Sequence, residues 1–149
     1  MARIKADARV ALLAATPLFS ACSKKELTRI ASLADELAVE AGQILCTEGQ
    51  NGNDCFVLVD TTAGVRVKGR KVASIPAGSI CGELALLDGG PRAATVTAES
   101  DGRILVLTRP AFLGLIGDVP SISRRMLEAL GGRLREANAV GGDKPLAGG

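Results

Sequence analysis

The most informative part of the sequence is GSICGELALLDGGPRAATVTA, residues 78–98. Within it, Glu83 to Leu87 is a single turn of good helix formers, which Gly82 precedes and the sequence DGGP follows. The first amides of such a turn have no hydrogen-bond partner within the helix, and a glycine allows a ligand to approach the backbone closely. The segment therefore predicts an anion-binding helical turn inserted between strands.

Two charged side chains in this segment indicate what kind of anion binds. Arg92 is predicted to open the next strand, and the paired donors of its guanidinium match two phosphate oxygens. Glu83 would repel the same anion unless its carboxylate accepts a hydrogen bond from a ligand hydroxyl, such as a ribose 2'-OH. The pair therefore predicts a ligand that carries a sugar hydroxyl beside a phosphate. The alternative is an ordinary ion pair between Glu83 and Arg92 at a strand edge.

The sequence around this segment is typical of a closed β structure. Short apolar runs alternate with clusters of Gly, Asn, Pro and Asp between Leu37 and Thr108. The predicted strands are Leu37–Glu40, Ile44–Cys46, Cys55–Asp60, Val65–Val67, Val72–Ile75, Ala94–Ala98 and Arg103–Leu107, with a further short strand at Ser79–Cys81. We therefore expect a mainly β fold with flanking helices, an eight-stranded β-roll or jelly roll.

Helical patterns lie on both sides of the strands. A first helix should end near Thr16, because the residue before Pro17 is pushed out of the α region. Ser23 and Glu26 form a capping box that begins a second helix. After the strands, a short helix at residues 111–117 precedes a longer one from Ser121 to about Ala139, one face of which is apolar. We expect this last helix to bend or fray at Gly131–Gly132 in its middle.

These patterns divide the chain into three predicted parts. Residues 1–16 form an N-terminal helical segment, and residues 17–139 form the binding domain. Within that domain the β-roll is expected at residues 37–108 and the C-terminal helices at residues 111–139. Residues 140–149 have no periodicity and should form a flexible tail.

Composition excludes several classes of function. The chain has no His, Trp or Tyr, which removes imidazole catalysis, histidine ligation of metals and most base-stacking platforms. The net charge of +2 gives no strong field, so direct binding of nucleic acid is not expected. The longest apolar run near the start, residues 10–15, is too short for a signal peptide or a membrane span. We expect no metal site and no enzymatic activity.

The four cysteines indicate a reducing compartment. Cys22, Cys46, Cys55 and Cys81 form no Cys-x-x-Cys pair, so we expect reduced thiols and a cytoplasmic protein. Cys81 lies beside the predicted helical turn, where a lowered thiol pKa would make it a redox sensor. We expect instead that Cys81 serves as a small buried apolar side chain.

Residues 78–98 closely resemble the phosphate-binding cassette of cyclic nucleotide-binding domains, such as those of cAMP-dependent protein kinase regulatory subunits, the catabolite activator protein and nucleotide-gated channels. The resemblance extends from the sequence PLF at residues 17–19, through the glycine-rich turn at Gly49 to Asp54, to the C-terminal helix. It implies ligand contacts from Gly82, Glu83, Leu84, Ala85, Arg92 and Ala93.

The resemblance also implies a role for individual residues. Glu83 would bind the ribose 2'-OH, Arg92 would pair with the cyclic phosphate, and the Ala93 amide would add a donor. The residue after this arginine is often Thr in family members that prefer cGMP, so Ala93 favours cAMP. Cys81 departs from the family, because an aromatic residue is usual there.

The C-terminal helix is expected to act as a lid over the base. It carries no aromatic residue that would stack on the base. The remaining candidates for lid contacts are Leu130, Arg133, Leu134, Arg135 and Asn138.

The resemblance implies a non-enzymatic sensor that needs no other cofactor; its ligand would be cAMP, with cGMP as the alternative. Its signal would pass to an effector protein, to a domain outside this sequence, or to a homodimer formed through the C-terminal helix. One alternative is a small barrel enzyme of the cupin kind, although such enzymes usually hold their metal with His. Another is a degenerate β-roll that serves only as an interaction scaffold and has a silent nucleotide site.

Overall fold

The computed structural model describes residues 3–140, which form five α-helices and eight β-strands. The helices are α1 (Ala6–Ala15), α2 (Lys24–Leu33), α3 (Ala85–Asp88), α4 (Arg109–Asp118) and α5 (Pro120–Val140), and a 3₁₀ turn lies at Pro17–Phe19. The strands are β1 (Asp35–Val39), β2 (Ile44–Cys46), β3 (Asp54–Leu58), β4 (Ala63–Val67), β5 (Arg70–Ile75), β6 (Ile80–Cys81), β7 (Thr95–Ala98) and β8 (Gly102–Thr108).

The strands form two antiparallel sheets of four strands each. The order is β1-β8-β3-β6 in one sheet and β2-β7-β4-β5 in the other. Phe56, Leu58 and Val96 belong to an apolar cluster that joins the two sheets. A second cluster, which includes Phe19 and Phe112, packs the helices against the first sheet. The predicted mainly β architecture with flanking helices, an eight-stranded β-roll, is confirmed.

Helix α2 begins at the predicted capping box. The Ser23 amide donates to Glu26 Oε1 at 2.7 Å, and the Glu26 amide donates to Ser23 Oγ at 3.1 Å. These two bonds satisfy amides that the first turn of a helix leaves without partners. The buried face of α2, which includes Leu27 and Ile30, then packs into the helical cluster.

Several predicted boundaries are wrong by one or two residues. The strand region begins at Asp35 instead of Leu37, because β1 starts with polar residues that give no apolar signal. The C-terminal helices begin at Arg109 instead of residue 111, because the Thr108 side chain accepts from the Ala111 amide at 3.3 Å and caps α4. A proline in the first turn of a helix is tolerated, so Pro110 does not delay the start.

The last helix does not fray in its middle, one of the two outcomes expected there. Helix α5 continues through Gly131–Gly132 to Val140. Two glycines cost about 1 kcal/mol each relative to alanine, which weakens a helix of this length without breaking its hydrogen bonds. The predicted flexible tail lies outside the described residues except for Val140, which belongs to α5. Within residues 3–140, none of the helices is both long and apolar enough to cross a membrane.

We expect the Ser23→Ala variant to lower the free energy of unfolding by about 1 kcal/mol, because it removes the N-cap acceptor of α2. Chemical denaturation followed by circular dichroism would measure the change. Ser32→Ala is the matched control, because Ser32 is an exposed residue of the same helix whose hydroxyl bonds only to the Arg29 carbonyl. Equal stability of the two variants would contradict a stabilising role of the capping box.

Candidate functional site

The predicted helical turn exists, but it begins two residues later than expected. Gly82 has φ +83°, a conformation that glycine adopts at little cost, and it turns the chain out of β6. Helix α3 then runs from Ala85 to Asp88 and ends at Gly89 in the left-handed conformation. The sequence therefore predicts the turn correctly, while the backbone at Gly82 and Glu83 is not yet helical.

Arg92 lies in the loop before β7, two residues ahead of the strand predicted from Ala94, and only 6% of its surface is exposed. Its Nη2 donates to the Asp54 carbonyl at 2.6 Å and to Asp54 Oδ1 at 3.0 Å. Its Nη1 donates to the Gly82 carbonyl at 3.2 Å. These bonds hold the guanidinium between the cassette and the start of β3.

Two glycines make room for this guanidinium. A β-carbon at Gly52 or at Gly82 would collide with the side chain of Arg92. The buried Gly52 lies in the turn before β3, two residues ahead of Asp54 in the chain. The resemblance covers the turn at residues 49–54, but it implies no role for Gly52 or Asp54. A buried arginine needs a carboxylate nearby to balance its charge. An acidic residue in this glycine-rich turn is therefore the feature of the sequence that could have identified Asp54.

All six cassette residues predicted to contact a ligand line one cavity of about 250 Å³. These residues are Gly82, Glu83, Leu84, Ala85, Arg92 and Ala93. Aliphatic side chains line the rest of the wall, among them Val65 and Ile75 of the β4–β5 hairpin, with Ile80 and Val96. The cavity therefore combines charged groups with an apolar wall, as a nucleotide site requires.

Glu83 and Arg92 do not form the ion pair that was the alternative interpretation. The carboxylate that pairs with Arg92 is that of Asp54, and within residues 3–140 no cation lies within 4 Å of the Glu83 carboxylate. Burial raises the pKa of Glu83, while its own backbone amide and the positive charges of Arg133 and Arg92 act in the opposite direction. Glu83 is thus a half-buried acceptor on the cavity wall.

Of the five residues predicted as lid contacts, only Arg133 lines the cavity in the structure. Leu130 and Leu134 are 40% and 47% exposed, Arg135 is exposed, and Asn138 is half-buried away from the cavity wall. Leu130 and Leu134 lie four residues apart on one face of α5, and Arg133 lies about 100° around the helix axis from Leu134. The orientation of α5 about its axis therefore places the Arg133 side chain, rather than those of the leucines, at the cavity wall.

The cysteines near the site serve packing. Cys81 is 5% exposed, and burial together with the Glu83 charge raises the pKa of its thiol to about 12. Cys81 therefore lacks the lowered thiol pKa that a redox sensor needs. The structure supports its role as a small buried apolar side chain. Burial also raises the pKa of Cys46, another residue of the cavity wall. No set of three potential metal ligands lies together among residues 3–140.

Comparison with known proteins agrees with this geometry. A family model for the cyclic nucleotide-binding domain matches residues 36–118, which is more than half of the chain. The cAMP-dependent protein kinase regulatory subunit of Emericella nidulans is 36% identical over 117 residues. That match covers 77% of this chain and 28% of the regulatory subunit, so the chain corresponds to a small part of this relative.

Solved structures share this fold. The catabolite activator protein of Thermus thermophilus superposes with a TM-score of 0.76 at 28% identity, over 83% of this chain and 60% of that protein. The regulatory domain of Toxoplasma gondii PKA, solved with cAMP, gives a TM-score of 0.68 at 29% identity, over 74% of this chain and 44% of that one. Fold, cavity and sequence agree, and the chain belongs to the family of cyclic nucleotide-binding domains.

Proposed function

We propose that this domain binds cAMP in preference to cGMP and acts as a non-enzymatic regulatory sensor. One observation carries the proposal: the six cassette residues predicted from the sequence line a single cavity, into which Arg92 and Glu83 bring opposite charges. The proposal extends to this chain the ligand named for the regulatory subunit of Emericella nidulans.

The phosphate contact rests on Arg92. A guanidinium carries five N–H donors, and Asp54 and Gly82 accept three of the hydrogen bonds. Donors therefore remain for phosphate oxygens, and the Ala93 amide on the cavity wall adds another. The positive charge in a half-closed cavity favours a monoanionic phosphate diester over a neutral ligand.

The ribose and base contacts use different groups. Glu83 accepts the ribose 2'-OH in our assignment, and Gly82, Leu84 and Ala85 surround the sugar. The aliphatic wall formed by Val65 and other side chains receives the purine face. The preference for cAMP rests on Ala93, which lacks the hydroxyl that Thr offers in relatives that prefer cGMP.

Helix α5 is the element that would report binding to an effector. Arg133 brings a positive charge from α5 close to Glu83. A ligand that binds Glu83 therefore changes the electrostatic attraction between Glu83 and this helix. Couplings of this kind are typically about 1 to 3 kcal/mol. The receiver is an effector protein, a domain outside this sequence, or a second copy that pairs through α5.

Homodimerisation has its own observation in support. Leu127, Leu130 and Leu134 are exposed by 69%, 40% and 47% and follow one another at steps of three and four residues. This spacing is that of a coiled-coil seam.

We also place the protein in the cytoplasm, because all four cysteines are free thiols.

Calorimetric titration with cAMP and with cGMP tests the proposed function. We expect saturable heat with both ligands and the lower Kd for cAMP. The absence of heat with either ligand at millimolar concentration would favour the scaffold with a silent nucleotide site. Equal or tighter binding of cGMP would contradict the role given to Ala93.

We expect Arg92→Lys to weaken cAMP binding by about one to two orders of magnitude, because lysine keeps the charge but loses the paired donors. Isothermal titration calorimetry would measure the Kd, and thermal denaturation would show that the variant is folded. Arg103→Lys is the matched control, because Arg103 pairs with Asp60 outside the cavity. Unchanged affinity of a folded Arg92→Lys variant would contradict the phosphate contact.

We expect Glu83→Ala to reduce the preference for cAMP over 2'-deoxy-cAMP by about tenfold or more, because a hydrogen bond to a charged group is lost. Competition binding with the two ligands would measure the ratio of their Kd values. Glu40→Ala serves as the control, because Glu40 is exposed at the turn after β1. The same ratio in the Glu83→Ala variant and the unchanged protein would show that Glu83 does not bind the 2'-OH.

A further inference from the structure

The β4–β5 hairpin carries a concentrated positive charge that the nucleotide site does not use. Its turn has Lys68 at φ +51° and Gly69 at φ +79°, a two-residue connection with both residues left-handed. The six residues RVKGRK at positions 66–71 contain four basic side chains, all of them exposed. We call Arg66, Lys68, Arg70 and Lys71 the basic tip.

Most of this charge has no counter-ion among residues 3–140. Lys71 Nζ pairs with Glu99 Oε2 at 2.7 Å, and the Lys68 amide, rather than its side chain, donates to Glu48. The side chains of the other three residues of the basic tip form no ion pair in that part of the chain. Because the whole chain has a net charge of only +2, the basic tip is a local feature.

The arrangement of the cations is itself unfavourable. Arg66 lies directly opposite Lys71 in the register of the hairpin, and like charges in cross-strand pairs are destabilising. Glu99 offsets only part of this repulsion. An anionic partner would remove the remainder, so the hairpin favours association with carboxylates or other anions.

The adjacent backbone offers a second means of binding. β5 lies at the end of its sheet and pairs only with β4 in the part of the chain that the structure describes. Its first five residues are exposed, so main-chain groups along its outer edge are accessible to an added strand. A register shift between Val65 and Arg66 leaves Val72 of β5 outside the paired positions of the hairpin and divides β5 into two short stretches.

We propose that the basic tip and the outer edge of β5 form a docking site for an extended acidic segment of a partner protein. Carboxylates of the segment would pair with the basic tip while its main chain adds to β5. Self-pairing of this edge between two copies is disfavoured by repulsion of the same cations, so the site selects a segment of opposite charge.

A lipid surface fits these observations less well. Apolar side chains are needed to enter the acyl boundary of a membrane, and Val72, which is 59% exposed, is the sole large apolar side chain exposed in the hairpin. Binding to anionic vesicles is therefore an outcome of the test rather than part of the proposal.

The same hairpin reaches the nucleotide cavity, which adds a coupling that rests on the proposed function. Val65 of β4 and Ile75 of β5 line the cavity, while the basic tip lies at the turn that joins these strands. A ligand that shifts the cavity wall would therefore alter the docking edge. By thermodynamic linkage, the acidic segment would change the affinity for cAMP by the same factor.

Fluorescence anisotropy with a labelled synthetic peptide of alternating Glu and Val tests the docking site. The variant Lys68→Glu/Arg70→Glu reverses the charge of two of the four residues of the basic tip. Lys24→Glu/Lys25→Glu is the matched control, since it changes the net charge equally on exposed residues of α2. We expect the peptide to bind the unchanged protein and the control, the tip variant to bind at least tenfold more weakly, and β5 amides to gain protection from exchange when the peptide binds.

Three results would overturn the docking site: no binding of the peptide, equal affinity of the tip variant and the control, or binding to phosphatidylserine vesicles but not to the peptide. The measurement is made without nucleotide, so its outcome does not depend on whether the protein binds cAMP. Addition of cAMP should then shift the peptide Kd by about fivefold or more. An unchanged Kd in a protein that binds cAMP would overturn the coupling alone.

Discussion

The whole site depends on the burial of one guanidinium. Arg92 is almost fully covered, and a buried positive charge is tolerated only when its hydrogen bonds and its counter-charge are supplied. Asp54 provides a carbonyl and a carboxylate, and Gly82 provides a second carbonyl. The absence of side chains at Gly52 and Gly82 is what leaves room for the arginine. These requirements fix three separate parts of the chain relative to one another.

The β-roll satisfies these requirements because it brings distant segments together. β3, which begins at Asp54, pairs with β6, and β6 ends immediately before Gly82. β7 follows Arg92 and lies in the other sheet, so the cassette bridges the two sheets above the apolar cluster that joins them. Helix α5 then brings Arg133 to the same cavity from the helical layer. The cavity proposed to bind the anion therefore lies where both sheets and the last helix come together.

Local signals in the sequence were sufficient for much of this structure. The capping box at Ser23 and Glu26 and the cassette from Gly82 to Ala93 are short motifs. The structure shows the predicted capping box and turn, and the cassette residues line one cavity. The role of Asp54 was not predicted, because its contact with Arg92 joins residues 38 positions apart. The start of β5 was also missed, since Arg70 and Lys71 are exposed and give no apolar pattern. The face that α5 turns to the cavity depends on packing, so helical periodicity alone did not separate Arg133 from its neighbours.

The central claim is that the guanidinium of Arg92 holds the cyclic phosphate inside this cavity. A crystal structure of the protein grown with cAMP tests it most directly. The account predicts phosphate oxygens within hydrogen-bond distance of Arg92 and the ribose 2'-OH on Glu83. Density for the phosphate at any other place on the protein, with Arg92 bonded only to Asp54 and Gly82, would contradict it.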